Sequence, residues 1–334
     1  MREGILSVIG NTPLIKLSRL FPDAGFHVYA KLEGFNPGGS TKDRPALNII
    51  KHGIDSRALQ PGSVVIESTS GNMGIGLAQA CSYFGLRLIC VVDPKTTMQN
   101  IRLLRAYGAE VDMVMEPDPH TGEYLQARLG RVHELLETID NGFWPNQYAN
   151  SLNPAAHHHT MAEIERQLGG QVDYLFCATS TCGTMRGCAE YGREHFLNIK
   201  TIAVDAVGSV IFGGQKSKRL IPGHGAAVRP LLYKDDLADQ VVRVTDLDCV
   251  VGCRRLVRAE AVLAGGSSGG VIMAIEQLKT VIPSGANCVA ILPDRGERYL
   301  DTIFSEEWVL EHFGEVSHLW ENSLRAPKWL VAAY

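Results

Sequence analysis

Short β-branched runs alternate with helix-period stretches along almost the whole chain. Apolar runs at Val28 to Leu32, Val64 to Thr69, Leu86 to Val92 and Val111 to Met115 predict four strands. Amphipathic or apolar stretches after Asp43, after Asn72 (ended by Gly85), at Gln99 to Tyr107 (ended by Gly108) and across Tyr124 to Thr138 predict the helices that follow them. The pattern breaks at DNGFWPNQYANSLNP, from Asp140, whose Gly, Pro and Asn content suits a crossing between domains. It then resumes with strands at Tyr174 to Ala178, Thr201 to Asp205, Val241 to Val244 and Cys288 to Leu292, and with helices after Thr184, Asp246 and Ser268. Alternation of this kind predicts an α/β protein of βαβ crossovers with mainly parallel sheets. There is no internal repeat, and the last stretch, Trp320 to Tyr334, has no clear period.

Length and composition narrow this further. A chain of 334 residues has room for about two domains or one large α/β domain. Hydrophobic residues make up 45%, charged residues 20% and the net charge is −4, which disfavours a disordered chain or a nucleic-acid binder working by bulk positive charge. The eight cysteines lie mostly in apolar runs and form no C-x-x-C pair, so reduced, buried thiols in a cytoplasmic protein are expected. The N-terminus is broken by Gly10, Asn11 and Pro13 before a signal-type apolar region builds, and no stretch reaches the roughly 18 apolar residues of a membrane span.

Three loops carry the candidate chemistry. In Asn36-Pro-Gly-Gly-Ser-Thr-Lys-Asp43 the lysine opens a helix, where the positive end of the dipole disfavours its ammonium form and favours a nucleophilic amine. A solvated lysine beside a turn is the plainer alternative. Ser68-Thr-Ser-Gly-Asn-Met-Gly74 and Ser180-Thr-Cys-Gly-Thr184 each join a strand end to a helix start, where hydroxyls and N–H groups suit a carboxylate or phosphate. Either one alone could be only a cap and turn, but two at the ends of parallel strands point to a ligand cleft. Gly265-Gly-Ser-Ser-Gly-Gly270 contains the G-x-S-x-G pattern of α/β-hydrolases, followed in hydrolase order by Asp294 and His312. The competing reading is a serine facing a cofactor ring. His157-His-His159 invites a metal, but adjacent histidines point different ways and lack partners beyond Glu163, so a solvated or capping cluster is expected and no metal is assigned.

Taken in order, IGNTPL at 9–14, KLEGFNPGGSTKDR at 31–44, ESTSGNMGIGLA at 67–78, LLRAYGAE at 103–110, NQYANSLNP at 146–154, STCGT at 180–184, AGGSSGG at 264–270 and ILPDRGERY at 291–299 resemble fold-type II pyridoxal-phosphate enzymes of the cysteine synthase and cystathionine β-synthase family. The resemblance runs from residue 9 to about 300. It implies two open, twisted, mainly parallel sheet domains of tryptophan synthase β type, with pyridoxal 5'-phosphate between them: a small closing domain at 39–145 and a large one from 1–38 and 146–334. It implies a homodimer.

It also implies roles. Lys42 would bind the cofactor covalently and act as general base, Asn72 would meet the ring's phenolic oxygen, and Ser180, Thr181, Cys182, Gly183 and Thr184 would cradle its phosphate. Ser267 would face the pyridine nitrogen, an arrangement suited to expelling a leaving group from Cβ and adding a nucleophile to the aminoacrylate. Thr69, Ser70, Gly71 and Asn72, with Gln147, would hold the substrate. Family sulfhydrylases usually carry Thr where Met73 stands, glycines at Ser180 and Cys182, and Phe at Tyr148.

These departures, with VVDPK at 91–95, EPDPH at 116–120, VDAVGSVIFG at 204–213 and PDRGERYLD at 293–301, most resemble family members serving siderophore or peptide-antibiotic pathways through 2,3-diaminopropionate. Those use O-phospho-L-serine as donor and L-glutamate as nucleophile. Arg128 is then the candidate cationic partner, with Tyr148 and Ser180 lining the pocket, although a solvated helix arginine is the common case. A cysteine synthase is the alternative in the same fold, and a catalytically silent regulatory binder the alternative of another class.

Overall fold

The computed structural model describes residues 3–69, 71–195 and 197–321. Ser70 and most of the C-terminal stretch from Trp320 lie outside the described residues. The strands are β1 (Leu14–Lys16), β2 (His27–Leu32), β3 (Val64–Ser68), β4 (Arg87–Val92), β5 (Glu110–Met113), β6 (Gly142–Phe143), β7 (Tyr174–Ala178), β8 (Lys200–Ala206), β9 (Gln240–Val244) and β10 (Asn287–Leu292). The helices are α1 (Asp43–Asp55), α2 (Asn72–Phe84), α3 (Met98–Ala106), α4 (Tyr124–Thr138), α5 (Leu152–Gln167), α6 (Gly183–Glu194), α7 (Asp246–Glu260), α8 (Gly266–Leu278), α9 (Glu306–Phe313) and α10 (His318–Glu321).

They build two sheets. One has the order β1-β2-β10-β7-β8-β9 and the other β5-β4-β3-β6. Every pairing is parallel except β1 with β2. The fold is thus α/β with two domains of mainly parallel sheet, as the alternation predicts. All five residues of β3 are buried, because helices cover both faces of a parallel sheet. That is why Val64, Val65 and Ile66 follow one another without the polar alternation of a half-exposed strand.

Five elements, β1, β6, α5, α9 and α10, were not legible in the pattern. Phe143 lies inside the expected connector but pairs with Val65, adding a two-residue strand to the small sheet. The three-residue β1 is too short to show a period. Helix α5 has apolar, polar and histidine positions mixed around its circumference, so no face stands out, yet it packs against both α1 and α6.

Close backbone approach sets the site. A Cβ on Gly76 of α2 would lie 3.1 Å from the carbonyl oxygen of Lys42, so the missing side chain lets α2 sit against the start of α1. Buried ions fix that start from the other side. Arg44 meets Glu33 through Nε and Nη2 at 2.7 and 2.8 Å and Glu163 through Nη1 and Nη2 at 2.7 and 2.8 Å, and Lys31 Nζ reaches Glu163 at 2.7 Å.

All eight cysteines are buried and free, as expected of reduced thiols. Among the described residues, no helix is long and apolar enough to cross a membrane, and no group of His, Cys, Asp and Glu could hold a metal ion.

Candidate active site

The candidate residues gather at the carboxyl ends of strands from both sheets. Thr41 N donates to Pro293 O at 2.7 Å, which docks the Lys42 loop on the end of β10. Gln147 donates from Nε2 to Ser68 O at 3.2 Å and from its backbone N to Glu67 Oε2 at 3.2 Å, bringing the connector onto the end of β3.

Lys42 is the residue just before α1 and is partly buried. Its Nζ makes no hydrogen bond or ion pair among the described residues. Desolvation lowers its ammonium pKa, opposed by Cys177, Asp294 and Glu33. The expected direction is there, but its largest cause is desolvation rather than the helix dipole.

Thr69 Oγ1 accepts from Gly74 N, in the first turn of α2, at 3.0 Å, leaving its hydroxyl proton to donate elsewhere. Gly71 precedes α2 and Asn72 is its first residue. At the second loop, Cys182 takes a left-handed backbone (φ 68°) just before α6, and Thr181 Oγ1 accepts from Gly183 N at 3.4 Å. Ser180 is half-buried beside them. The first N–H groups of α6 have no partners within the helix.

His157 corrects the expectation of a solvated cluster. It is fully buried on α5, with Nδ1 3.1 Å from Thr160 Oγ1 and Nε2 3.2 Å from Thr184 Oγ1, while His159 is exposed. Burial, then the charge of Lys42, holds its pKa well below the ordinary value, so it acts as a neutral support for Thr184.

The hydrolase arrangement is not formed. Ser267 is buried in the first turn of α8. His312 instead lies exposed on α9, its Nδ1 2.9 Å from Trp308 O and its ring stacked on the indole. Asp294 is bonded to Asn72 and Tyr299, not to a histidine.

Arg128, which as a helix arginine could have been solvated, is only 8% exposed. Its Nε stands 3.3 Å from Asp93 Oδ2 without hydrogen-bond alignment, and its buried Nε and Nη1 have no hydrogen-bond partner. Its charge acts on both Glu67 and Tyr148. Burial raises the Tyr148 phenol and pushes the Glu67 carboxyl up to about 7.

Sequence reasoning missed Glu67, Asp93, Arg298 and the support role of His157, and read Asp294 only as a triad member. The available signal for Glu67 was a carboxylate directly after the apolar run Val64 to Ile66.

The residues fit pyridoxal phosphate: a Lys42 amine with no partner among the described residues, the N–H groups at the start of α6, and unpartnered buried hydroxyls on Thr41 and Ser68 beside the Lys42 and Asn72 loops. A lysine amine and a helix start of N–H groups at the ends of parallel strands suit an enzyme that binds an anionic, carbonyl-bearing cofactor. Residues 5–294 match the family model of pyridoxal-phosphate dependent enzymes, and the chain belongs to that family.

Solved structures agree. A cysteine synthase from Entamoeba histolytica is 34% identical over 90% of each chain, with a TM-score of 0.84. A hydrogen sulfide-producing enzyme from Fusobacterium nucleatum is 35% identical over 90% of this chain and 98% of its own, with a TM-score of 0.83. An O-ureido-L-serine synthase is 28% identical over the whole of both chains, with a TM-score of 0.85.

Proposed function

We propose that this enzyme replaces the β-phosphate of O-phospho-L-serine with the amino group of L-glutamate, forming N-(2-amino-2-carboxyethyl)-L-glutamate and phosphate. The Cβ–O bond breaks, a Cβ–N bond forms, and the glutamate ammonium gives up a proton. The observation that carries this reading is Arg128, a buried guanidinium beside Tyr148 whose Nε and Nη1 have no hydrogen-bond partner. Unpartnered buried donors of fixed positive charge favour a dianionic leaving group over a neutral acetyl ester.

Bound pyridoxal phosphate supplies the electron sink that allows the Cα proton and the Cβ substituent to leave. Lys42 attaches it and moves the Cα proton at Nζ, which its depressed ammonium pKa supports. Asn72 donates to the phenolic oxygen, the 180–184 segment holds the phosphate through N–H groups and Thr184, and Ser267 meets the ring nitrogen. Thr69, Ser70, Gly71 and Gln147 hold the α-carboxylate, and Arg128, Tyr148 and Ser180 hold the departing phosphate. Residues 39–145 form the unit that closes on the substrate and excludes water, against 1–38 and 146–334. The active form is a cytoplasmic homodimer, and the product leads to 2,3-diaminopropionate for a siderophore or peptide antibiotic.

The test is phosphate release from O-phospho-L-serine with and without L-glutamate, with the product mass recorded. Glutamate-dependent release and a product joining both skeletons is the expected result. Cysteine made from O-acetylserine and sulfide, with no phosphate released, would instead support the cysteine synthase reading, which the named activity of the Entamoeba structure favours.

A further inference from the structure

The carboxamide of Asn72 is held at both polar ends by residues that follow β10. Its Nδ2 donates to Asp294 Oδ2 at 2.8 Å, and its Oδ1 accepts from Arg298 Nη1. A guanidinium carries only donors, so the oxygen end of the amide must face Arg298 and the nitrogen end must face Asp294.

Both holders are themselves anchored. Tyr299 OH donates to the same Asp294 oxygen at 2.7 Å, Gly265 N donates to the Asp294 carbonyl at 3.2 Å, and Asp294 bridges Ser40, two residues before Lys42. A Cβ on Gly265 would meet Asp294 Oδ1 at 2.1 Å, so only glycine leaves room for this carboxylate. Arg298 donates through Nη2 to Gly38 O, in a loop whose Gly38 N is in turn held by Asp43 Oδ2.

An amide nitrogen has two N–H groups and its oxygen is an acceptor. With the oxygen engaged by Arg298 and one N–H by Asp294, the second N–H is the donor that remains. Turning the amide over would set its NH2 against a guanidinium and its oxygen against a carboxylate, losing two charge-assisted bonds.

We propose that Arg298 and Asp294 are positioning residues that lock the Asn72 amide so that it offers a donor, never an acceptor, to the phenolic oxygen of pyridoxal phosphate. This rests on the reading of Asn72 given above. A donor at that oxygen stabilises its ionised form, whereas a free amide can turn its oxygen inward and favour the protonated form. The lock joins the two sheets, since Asn72 opens a helix of the small sheet while both holders follow the last strand of the large one.

The experiment uses the purified holoenzyme and reads the bound cofactor's absorbance against pH. Arg298→Met keeps most of the aliphatic stem and removes the donors. The phenolic oxygen is then expected to hold its proton about tenfold more tightly, and the absorbance to shift toward the shorter-wavelength form, with cofactor content unchanged. Arg298→Lys, which returns one donor, is expected to recover much of the wild-type profile. In an Asn72→Ala background, adding Arg298→Met is expected to shift the profile no further.

If Asn72→Ala shifts the profile and Arg298→Met does not, the positioning role is overturned while the reading of Asn72 stands. A full Arg298→Met shift that persists in Asn72→Ala also overturns it, because Arg298 would then act on the cofactor independently. If Asn72→Ala leaves the profile at wild type, the reading of Asn72 itself falls. Should Arg298→Met fail to fold, Arg298→Leu, which also removes every donor, makes the same measurement.

Discussion

Arg44 grips Glu33 with two hydrogen bonds, from Nε to Oε2 at 2.7 Å and from Nη2 to Oε1 at 2.8 Å, and neither side chain is more than 4% exposed. Arg44 lies two residues beyond Lys42, and the pair ties the first turn of α1 to the residue that follows β2. Removing one partner of a buried pair strands the other's charge in a poorly solvating interior.

Arg44→Met is therefore expected to lower stability by about 3–5 kcal/mol. Arg87→Ala, which breaks a pair with Glu110 whose side chains are 60% and 54% exposed, should cost less than about 1 kcal/mol. Denaturant titrations of the two variants check this, and equal costs would contradict it.

Acid should attack the same cluster. Burial alone would raise the Glu163 carboxyl, but the hydrogen bond and charge of Arg44, then the hydrogen bond of Lys31, hold it at about 2 against an ordinary 4.5. A depressed carboxyl stabilises the fold above its unfolded pKa, and that stability is lost as pH falls from about 4.5 toward 2. Glu163→Gln should flatten the dependence of Tm on pH in that window.

Glu67 has the opposite sign. Burial raises it to about 7, so its neutral form suits the fold, and the stability present below 4.5 is lost as pH rises through 7. Glu67→Gln keeps an acceptor for Gln147 N and removes the titration. Its Tm should fall less than wild type's as pH rises from roughly 4 to roughly 8, a range that spans the window.

Lys42→Ala should end covalent attachment of the cofactor. Borohydride treatment is expected to fix the cofactor's mass on the wild-type chain and not on the variant. Full turnover by the variant would sink the mechanism.

Arg128→Ala should lower kcat/KM for O-phospho-L-serine by about 10- to 100-fold, the loss of one charged hydrogen-bonding partner. The cofactor's absorbance should stay as in wild type. An unchanged kcat/KM would remove Arg128 from the substrate site.

Much of this protein was legible from residue order alone. Periodicity suffices for α4, found at Tyr124–Thr138 as expected, and for α2, which Gly85 ends in a left-handed conformation. For α2 the stop signal itself lies in the local chain. The loops around Lys42, Asn72 and Thr184 were also readable, because each pairs a strand end with a helix start and carries unusual polar residues.

What periodicity could not supply came from contacts far apart in sequence. Phe143 becomes a strand because Val65 lies beside it, His157 is buried because α6 packs over it, and Arg128 leaves solvent because Asp93 and Tyr148 surround it. The amide of Asn72 is aimed by Asp294 and Arg298, 222 and 226 residues away. Local sequence determined most of the strands and helices and the polar loops that join them, since dihedral preference and side-chain period act over a few residues. Only the tertiary structure decided which charges are buried, which pKa values move and which way a carboxamide points, because desolvation and hydrogen-bond partners depend on what the rest of the chain brings alongside.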